Sequence, residues 1–221
     1  MLCLSDVSDS CHLTWRNEAR SSLQIRTSAN FHRETVEYSL SQAQLKSFDG
    51  WKRPDDIFPG GPQISSPTSS DLVQDAVTDC SVIASLCALA ERMQDDSSLA
   101  KHLPLRGIIY PYNETSGHPT IAASGKYIFR LTFNGCQRKV VIDDRLPSSR
   151  TNRKLHVIDR NCPSLMWPAL LEKAYLKVRG GYDFPGSNPG TDLSVMTGWI
   201  PEQILLRQYV QRELIRSERS L

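Results

Sequence analysis

The stretch from Tyr127 to Ile142 leaves the chain little choice of local structure. Tyr127, Phe129, Leu131 and Phe133 alternate with Ile128, Arg130 and Thr132, the period-two pattern of a half-buried strand. Asn134-Gly135 follows, and both residue types tolerate the positive φ that a type I′ turn requires. Arg138 to Ile142 therefore returns as the second strand of an antiparallel hairpin. Two helices accompany it. After Asp79, the residues Val82, Ile83, Leu86, Ala90 and Met93 recur at helical spacing and make one apolar stripe. Thr78 or Asp79 can cap its start, and Asp95-Asp96-Ser97-Ser98 ends it. A second helix is predicted from about Ser164 to Arg179, with Leu171, Ala174, Tyr175 and Val178 as its buried face. Pro168 is tolerable in its first turn and Gly180-Gly181 stops it. Helices around a small antiparallel hairpin read as α+β.

Upstream, Glu34 to Phe48 reads as a short amphipathic helix with Val36, Leu40 and Leu45 on one side. Residues 1–33 show no sustained period and read as a poorly ordered extension. Residues 34–205 are assigned to the folded domain, with the loop-like run from Lys52 to Ser70 as a boundary near its start. Residues 206–221 read as a polar tail.

Composition removes several classes. The net charge of +2 gives no reason to expect nucleic acid or an anionic membrane as partner. No apolar run approaches the roughly 18 residues of a spanning helix. The opening Met1-Leu2-Cys3-Leu4-Ser5-Asp6 lacks the basic start of a signal peptide, so a cytoplasmic protein is expected. Cys3, Cys11, Cys80, Cys87, Cys136 and Cys162 form no Cys-x-x-Cys pair and stand at no ligand spacing from a histidine, which disfavours zinc and a disulfide framework. The remaining reading is buried inert thiols with one reactive one.

That one is Cys80. The segment Asp71-Leu-Val-Gln74-Asp-Ala-Val-Thr-Asp79-Cys80 sets a cysteine at the first turn of an apolar helix. The unpaired N–H groups and dipole of a helix N-terminus favour a thiolate there, and the thiolate is the nucleophile. The Gln74 side chain on the incoming loop can turn its amide to the same point and, with the Cys80 N–H, form an oxyanion hole. The competing reading is a small buried hydrophobe.

Gln74 followed six positions later by Cys80 resembles the calpain pattern of glutamine, five residues, cysteine. Three more segments match in the same order: Val140 to Pro147, Trp167 to Tyr175, and Gly181-Tyr182-Asp183 leading to Trp199. Ser81 stands where conventional calpains carry tryptophan; with Arg160-Asn-Cys-Pro and Phe184 to Gly190 it points to the atypical fungal calpain-like proteases of the ambient-pH signalling pathway. The resemblance implies the first, cysteine-bearing subdomain of a papain-like core and a cysteine endopeptidase acting on protein or peptide substrates. It implies trafficking or pH-signalling proteins as partners. It assigns Cys80 as nucleophile and Gln74 to the oxyanion hole, with a histidine and an asparagine on a second subdomain. No matching histidine motif follows Gln203, so that half is expected to be missing and the chain inactive by itself. The alternative is a non-catalytic interaction module. Asp71 and Asp183 fall where the family's first subdomain carries acidic calcium ligands. Two carboxylates are few for a hard cation, which wants six or more oxygens, and no cofactor is expected to be required. His102, His118 and His156 read as surface or structural, and His12 and His32 lie outside the matching segments. Glu172 and Lys173 are read as contacting a neighbour or facing water, Asp143, Asp144 and Arg145 as a turn held by ion pairs. Arg150, Arg153 and Lys154 read as a solvated loop.

Overall fold

Cys80–Gln94 forms the helix that its apolar stripe predicts, burying Val82, Ile83, Leu86, Leu89 and Ala90. The computed structural model describes residues 38–58, 60–65, 70–94, 107–115 and 118–202. Within them the chain begins with α1 (Gln42–Ser47), β1 (Phe48–Lys52), α2 (Pro54–Ile57), β2 (Leu72–Val73) and α3 (Cys80–Gln94). It continues through β3 (Ile109–Tyr110), β4 (Lys126–Phe133), β5 (Cys136–Asp143), β6 (Leu146–Ser149) and β7 (Ile158–Asp159), and closes with α4 (Trp167–Arg179) and α5 (Pro189–Thr197). Three small antiparallel sheets, β3-β4-β5, β1-β6 and β2-β7, stand beside the helices, the α+β class expected.

The β4–β5 hairpin turns at Asn134 and Gly135, with φ of 52° and 73°, and pairs Phe133 with Cys136. Tyr127, Ile128, Phe129 and Leu131 are all buried, so this end of β4 is covered on both faces rather than one. Its cover includes α4, which packs on β4, β5, β6 and α3. Ten successive residues of α4, Trp167 to Leu176, are buried, and Gly180 ends the helix in the left-handed conformation. A helix buried on every side belongs to the centre of a domain.

Three expectations need correction. The helix expected from Glu34 to Phe48 is confined to Gln42–Ser47; residues 34–37 lie outside the described residues. Ser39 bridges to Gly181 and Ser41 caps α1 through a reciprocal pair with Gln44, which fixes extended backbone before the helix. Gln44, not Leu45, faces inward, donating to the Tyr182 carbonyl at 2.9 Å. The Lys52–Ser70 run separates no units, because β1 pairs with β6 across it. The second helix opens at Trp167 rather than Ser164, and its Val178 is 45% exposed.

Of the two readings of Glu172 and Lys173, contact with a neighbouring element holds: they are 0% and 1% exposed. Lys173 Nζ donates to the Asp143 and Arg145 carbonyls at 3.0 and 2.7 Å and pairs with the Asp143 carboxylate. It also lies 5.1 Å from the Tyr38 ring centre and 5.5 Å from that of Trp51. Arg145 completes the pair on Asp143, while Asp144 takes Arg53 at 2.8 Å. The turn after β5 is held by ion pairs, as expected, and bolted to the central helix. Among the described residues no helix is long and apolar enough to cross a membrane.

Candidate active site

β2 pairs with β7, and this short ladder delivers the loop from Gln74 to Asp79 to the start of α3. Asp75 clamps the loop. Its carboxylate accepts from the Lys154 N–H at 2.7 Å and the Arg153 Nε at 2.7 Å, while Ala76 N–H donates to the Lys154 carbonyl. Arg153 and Lys154 therefore anchor this loop, a role the solvated-loop reading missed. The Asp79 carbonyl then accepts from Val82 and Ile83 at 2.8 and 3.2 Å, opening α3.

Cys80 is the first residue of α3 and its side chain is exposed. Val77 and Asp79 beside it are buried. The Gln74 amide nitrogen donates to the Val77 carbonyl and, at 3.4 Å, to Asp79 Oδ1. The carboxamide is thus tied to the residue immediately preceding the cysteine. The other described thiols are not buried as expected: Cys87 and Cys136 are exposed and Cys162 is half-buried. Cys87, two turns along the same helix, directs its sulfur to the Leu72 carbonyl at 3.7 Å, and partial desolvation, with the Asp71 charge, raises its thiol above the ordinary range.

The Phe184–Asn188 segment closes over the start of α3 from another side. Thr78 Oγ1 donates to the Phe184 carbonyl at 3.3 Å, and Ser187 N–H donates to Ser81 Oγ at 2.8 Å. Ser81 is buried. Its hydroxyl and the Phe184–Gly190 segment, two departures from the conventional pattern, are one local unit. Neither Thr78 nor Asp79 turns its side chain to the cap that was expected: the first reaches Phe184, the second accepts from Gln74.

Beneath Cys80 lies a group of carboxyls that sequence reasoning missed. Asp79, Glu172 and Asp192 are each 0% exposed. Glu172 Oε2 accepts from Val157 N–H at 3.0 Å; Asp192 Oδ1 accepts from the hydroxyls of Tyr175 and Ser187. Burial pushes the Asp79 carboxyl up to about 6, against the pull of hydrogen bonds from Glu172 and Gln74 and with repulsion from Asp192 adding to it. Burial, followed by the Asp79 charge, holds Glu172 well above the usual carboxylate range. A signal existed: Glu172 has Ala169 three residues before it and Tyr175 and Leu176 three and four after, which places it on an apolar face.

The other candidates fall elsewhere. Asp71 pairs with Arg160 at 3.4 Å on the surface, and Asp183 is exposed. No group of three or more His, Cys, Asp or Glu side chains among the described residues is arranged to hold a metal ion. His156 is buried against Phe58, with Nδ1 3.3 Å from the Pro147 carbonyl, which encloses its imidazole away from the exposed Cys80 thiol. His118 sits on the loop bridged at Tyr112 and Pro119, and His102, His12 and His32 lie outside the described residues.

An exposed cysteine at the N-terminal tip of a helix is the setting that activates a thiol nucleophile. The chain belongs to the calpain family of cysteine proteases: the profile of that family, described as calpain family cysteine protease, matches residues 28–219. Its relatives include the calpain-like protease palB/RIM13 of Aspergillus oryzae, 57% identical over 176 residues that cover 76% of this chain and 20% of the relative. The calpain-like protease palB/cpr-8 of Neurospora crassa is 52% identical over 176 residues, 77% of this chain and 18% of its own length. Human calpain-7 is 43% identical over 167 residues, 76% of this chain and 20% of its own. The chain therefore spans about one-fifth of the length of these curated relatives.

Proposed function

We propose that this chain is the cysteine-bearing subdomain of a calpain-type endopeptidase in which Cys80 is the nucleophile and Gln74 an oxyanion donor. One observation carries the reading: the exposed sulfur leaves the first residue of α3, where the unpaired N–H groups of the helix start favour a thiolate. In the reaction the Cys80 thiolate adds to a peptide carbonyl carbon, and the negative charge moves to the carbonyl oxygen. The Cys80 N–H stabilises that oxygen, and the Gln74 amide joins it by turning from the Val77 carbonyl and Asp79, which engage both of its hydrogens in the structure. Collapse expels the amine, which must collect a proton, and water then releases the acyl group from sulfur. The acid–base group for both proton transfers is the imidazole of the second subdomain that the resemblance implies; His156 is enclosed and does not serve. Identity to the palB proteins supports fungal ambient-pH signalling as the setting, and proteins as substrates. The steps above call for no cation, and Asp71, paired with Arg160, and the exposed Asp183 offer few oxygens to one.

General acid–base help is worth on the order of 10²–10⁴-fold in rate. The 221-residue chain is therefore expected to leave unactivated peptides intact, at the background rate. With p-nitrophenyl acetate, whose leaving group needs no proton, it is expected to release a burst approaching one equivalent per chain as Cys80 is acylated. The burst disappears in Cys80→Ala and survives in Cys87→Ala. A burst unchanged by Cys80→Ala would overturn the assignment of the nucleophile.

A further inference from the structure

The segment from Phe184 to Asn188 meets the start of α3 on both sides of Cys80 in sequence. Thr78 Oγ1 donates to the Phe184 carbonyl at 3.3 Å, and Ser187 N–H donates to the buried Ser81 hydroxyl at 2.8 Å. Between these two points runs Gly186, where the first carbon of a side chain would stand 3.4 Å from Ser81 Oγ and 3.5 Å from the Thr78 carbonyl oxygen. The segment is held in turn by α4 and α5. The Phe184 ring lies 5.1 Å from the Arg179 guanidinium and edge-on to Tyr175, and the Ser187 hydroxyl donates to Asp192 Oδ1. Asp192 is fully enclosed, accepts a second hydroxyl from Tyr175, has Arg179 4.0 Å away, and keeps Oδ2 without a partner. A buried carboxylate short of donors gives up each one it has only at a high cost. Pro185, Asn188 and Pro189 are exposed, so the same segment shows an outer surface to solvent at the helix tip that bears Cys80.

We propose that Ser187 and Asp192 are positioning residues for the reaction at Cys80: their tie fixes the Phe184–Asn188 segment against Ser81 and makes it a wall along which a peptide lies to bring its carbonyl carbon to the sulfur. The inference rests on Cys80 as the nucleophile. The wall has little stiffness of its own. It contains no helix or strand, and Gly186, at φ 88°, lacks the restraint that a side chain imposes. Its place is set by contacts at its ends. Ser187 makes two of them, one from the backbone to the nucleophile's helix and one from the hydroxyl to α5. Asp192 decides how they are shared. Because a carboxylate only accepts, it draws the Ser187 hydroxyl to itself and leaves the Ser187 N–H for Ser81. Loss of the hydroxyl frees that end, and a displacement of about 1 Å near a reacting centre can cost on the order of 10²-fold in rate. A substrate long enough to touch the wall feels that loss. A small electrophile that meets the sulfur alone feels it little.

Two thiol reagents of different length test this on the 221-residue chain, with the rate at Cys80 read by mass spectrometry. Iodoacetamide is the short one and a dipeptidyl chloromethyl ketone the long one. In Ser187→Ala the long reagent is expected to slow at least about threefold more than the short one. Ser187→Thr, which keeps a hydroxyl for Asp192, is expected to restore the wild-type ratio of the two rates. Should Ser187→Ala fail to fold, Ser81→Ala removes the acceptor of the Ser187 N–H and is read in the same way. An unchanged ratio would overturn the proposal, as would two rates that fall together, the outcome if Ser187 only stabilised the fold. A ratio that Ser187→Thr does not restore would overturn it too. The p-nitrophenol burst is read on the same samples. A burst that survives Cys80→Ala defeats the nucleophile assignment, whereas a Cys80-dependent burst with an unchanged ratio defeats the wall alone.

Discussion

Replacing Lys173 by methionine is expected to destabilise the fold by about 3–5 kcal/mol, the usual consequence of breaking a buried ion pair from one side. Lys173 is 1% exposed and its ammonium is the donor for two carbonyls, those of Asp143 and Arg145, as well as for the Asp143 carboxylate. Methionine fills the volume but leaves these acceptors in a nearly dry site, where Arg145 alone opposes the Asp143 charge. The loss extends beyond one contact. Lys173 lies against the packed rings of Tyr38 and Trp51, and through Asp143 and Arg145 it joins α4 to the turn after β5. Equilibrium urea unfolding checks the figure, with a lower midpoint and an unchanged slope. A midpoint within experimental error of wild type would mean that the Lys173 site is wet or that the lysine is readily replaced.

His156 is expected to act in the opposite direction from the buried carboxyls as the solution is acidified. Its ring is enclosed, and burial lowers it from 6.5 to about 4, partly offset by the Pro147 carbonyl at Nδ1. A group whose folded value is depressed binds protons more readily in the unfolded chain, so its contribution is present above 6.5 and drains away as pH falls towards 4. The shift corresponds to about 3 kcal/mol between pH 7 and pH 4. Asp79 and Glu172 are raised, so their contribution is complete below the ordinary carboxylate range and lost as pH climbs through their folded values. The net profile of the wild-type chain mixes the two. Comparison with His156→Leu separates them: the stability difference between variant and wild type should shift by about 3 kcal/mol in the variant's favour from pH 7 to pH 4. Denaturant melts at the two pH values measure it, and a difference that does not change with pH would contradict a neutral, enclosed imidazole.

How much of this was readable beforehand depends on the range of the interactions involved. The β4–β5 hairpin was legible because its information is local: period-two alternation on either side of Asn134-Gly135. The start of α3 and the place of Cys80 on it were legible for the same reason, as was the Gly180 stop of α4. The ladders β1–β6 and β2–β7 were not. Leu72 and Val73 meet Asp159 and Ile158 across most of the domain, and two-residue strands carry no period of their own. Helix α1 was overdrawn because its apolar spacing looked helical while the Ser39–Gly181 bridge held the preceding backbone extended. That bridge has a tight requirement: a side chain at Gly181, whose φ is +125°, would approach Ser39 N to 2.4 Å.

The candidate site divides the same way. Cys80 and Gln74 could be named as candidates because their spacing, with three further segments in order, resembles the calpain pattern. The carboxyl pair could not, because charged residues on a helix are ordinarily solvated and only tertiary packing buries Glu172 beside Asp79. Arg153 and Lys154 looked like loop surface for want of any local hint that Asp75 would be their partner. Ser81 looked like a simple departure from a pattern until Ser187 was found bonded to it.

The most direct measurement compares the iodoacetamide alkylation rates of Cys80 and Cys87 in the folded chain, resolved by mass spectrometry of the peptides. The two thiols share one helix and are both exposed, but differ in what surrounds them: Cys80 stands at the N-terminal tip, while Cys87 leans on the Leu72 carbonyl with its thiol pushed up. Cys80 is predicted to react at least about tenfold faster near neutral pH, with the ratio collapsing in denaturant. Equal rates, or a Cys80 slower than Cys87, would contradict a nucleophile presented at the helix tip.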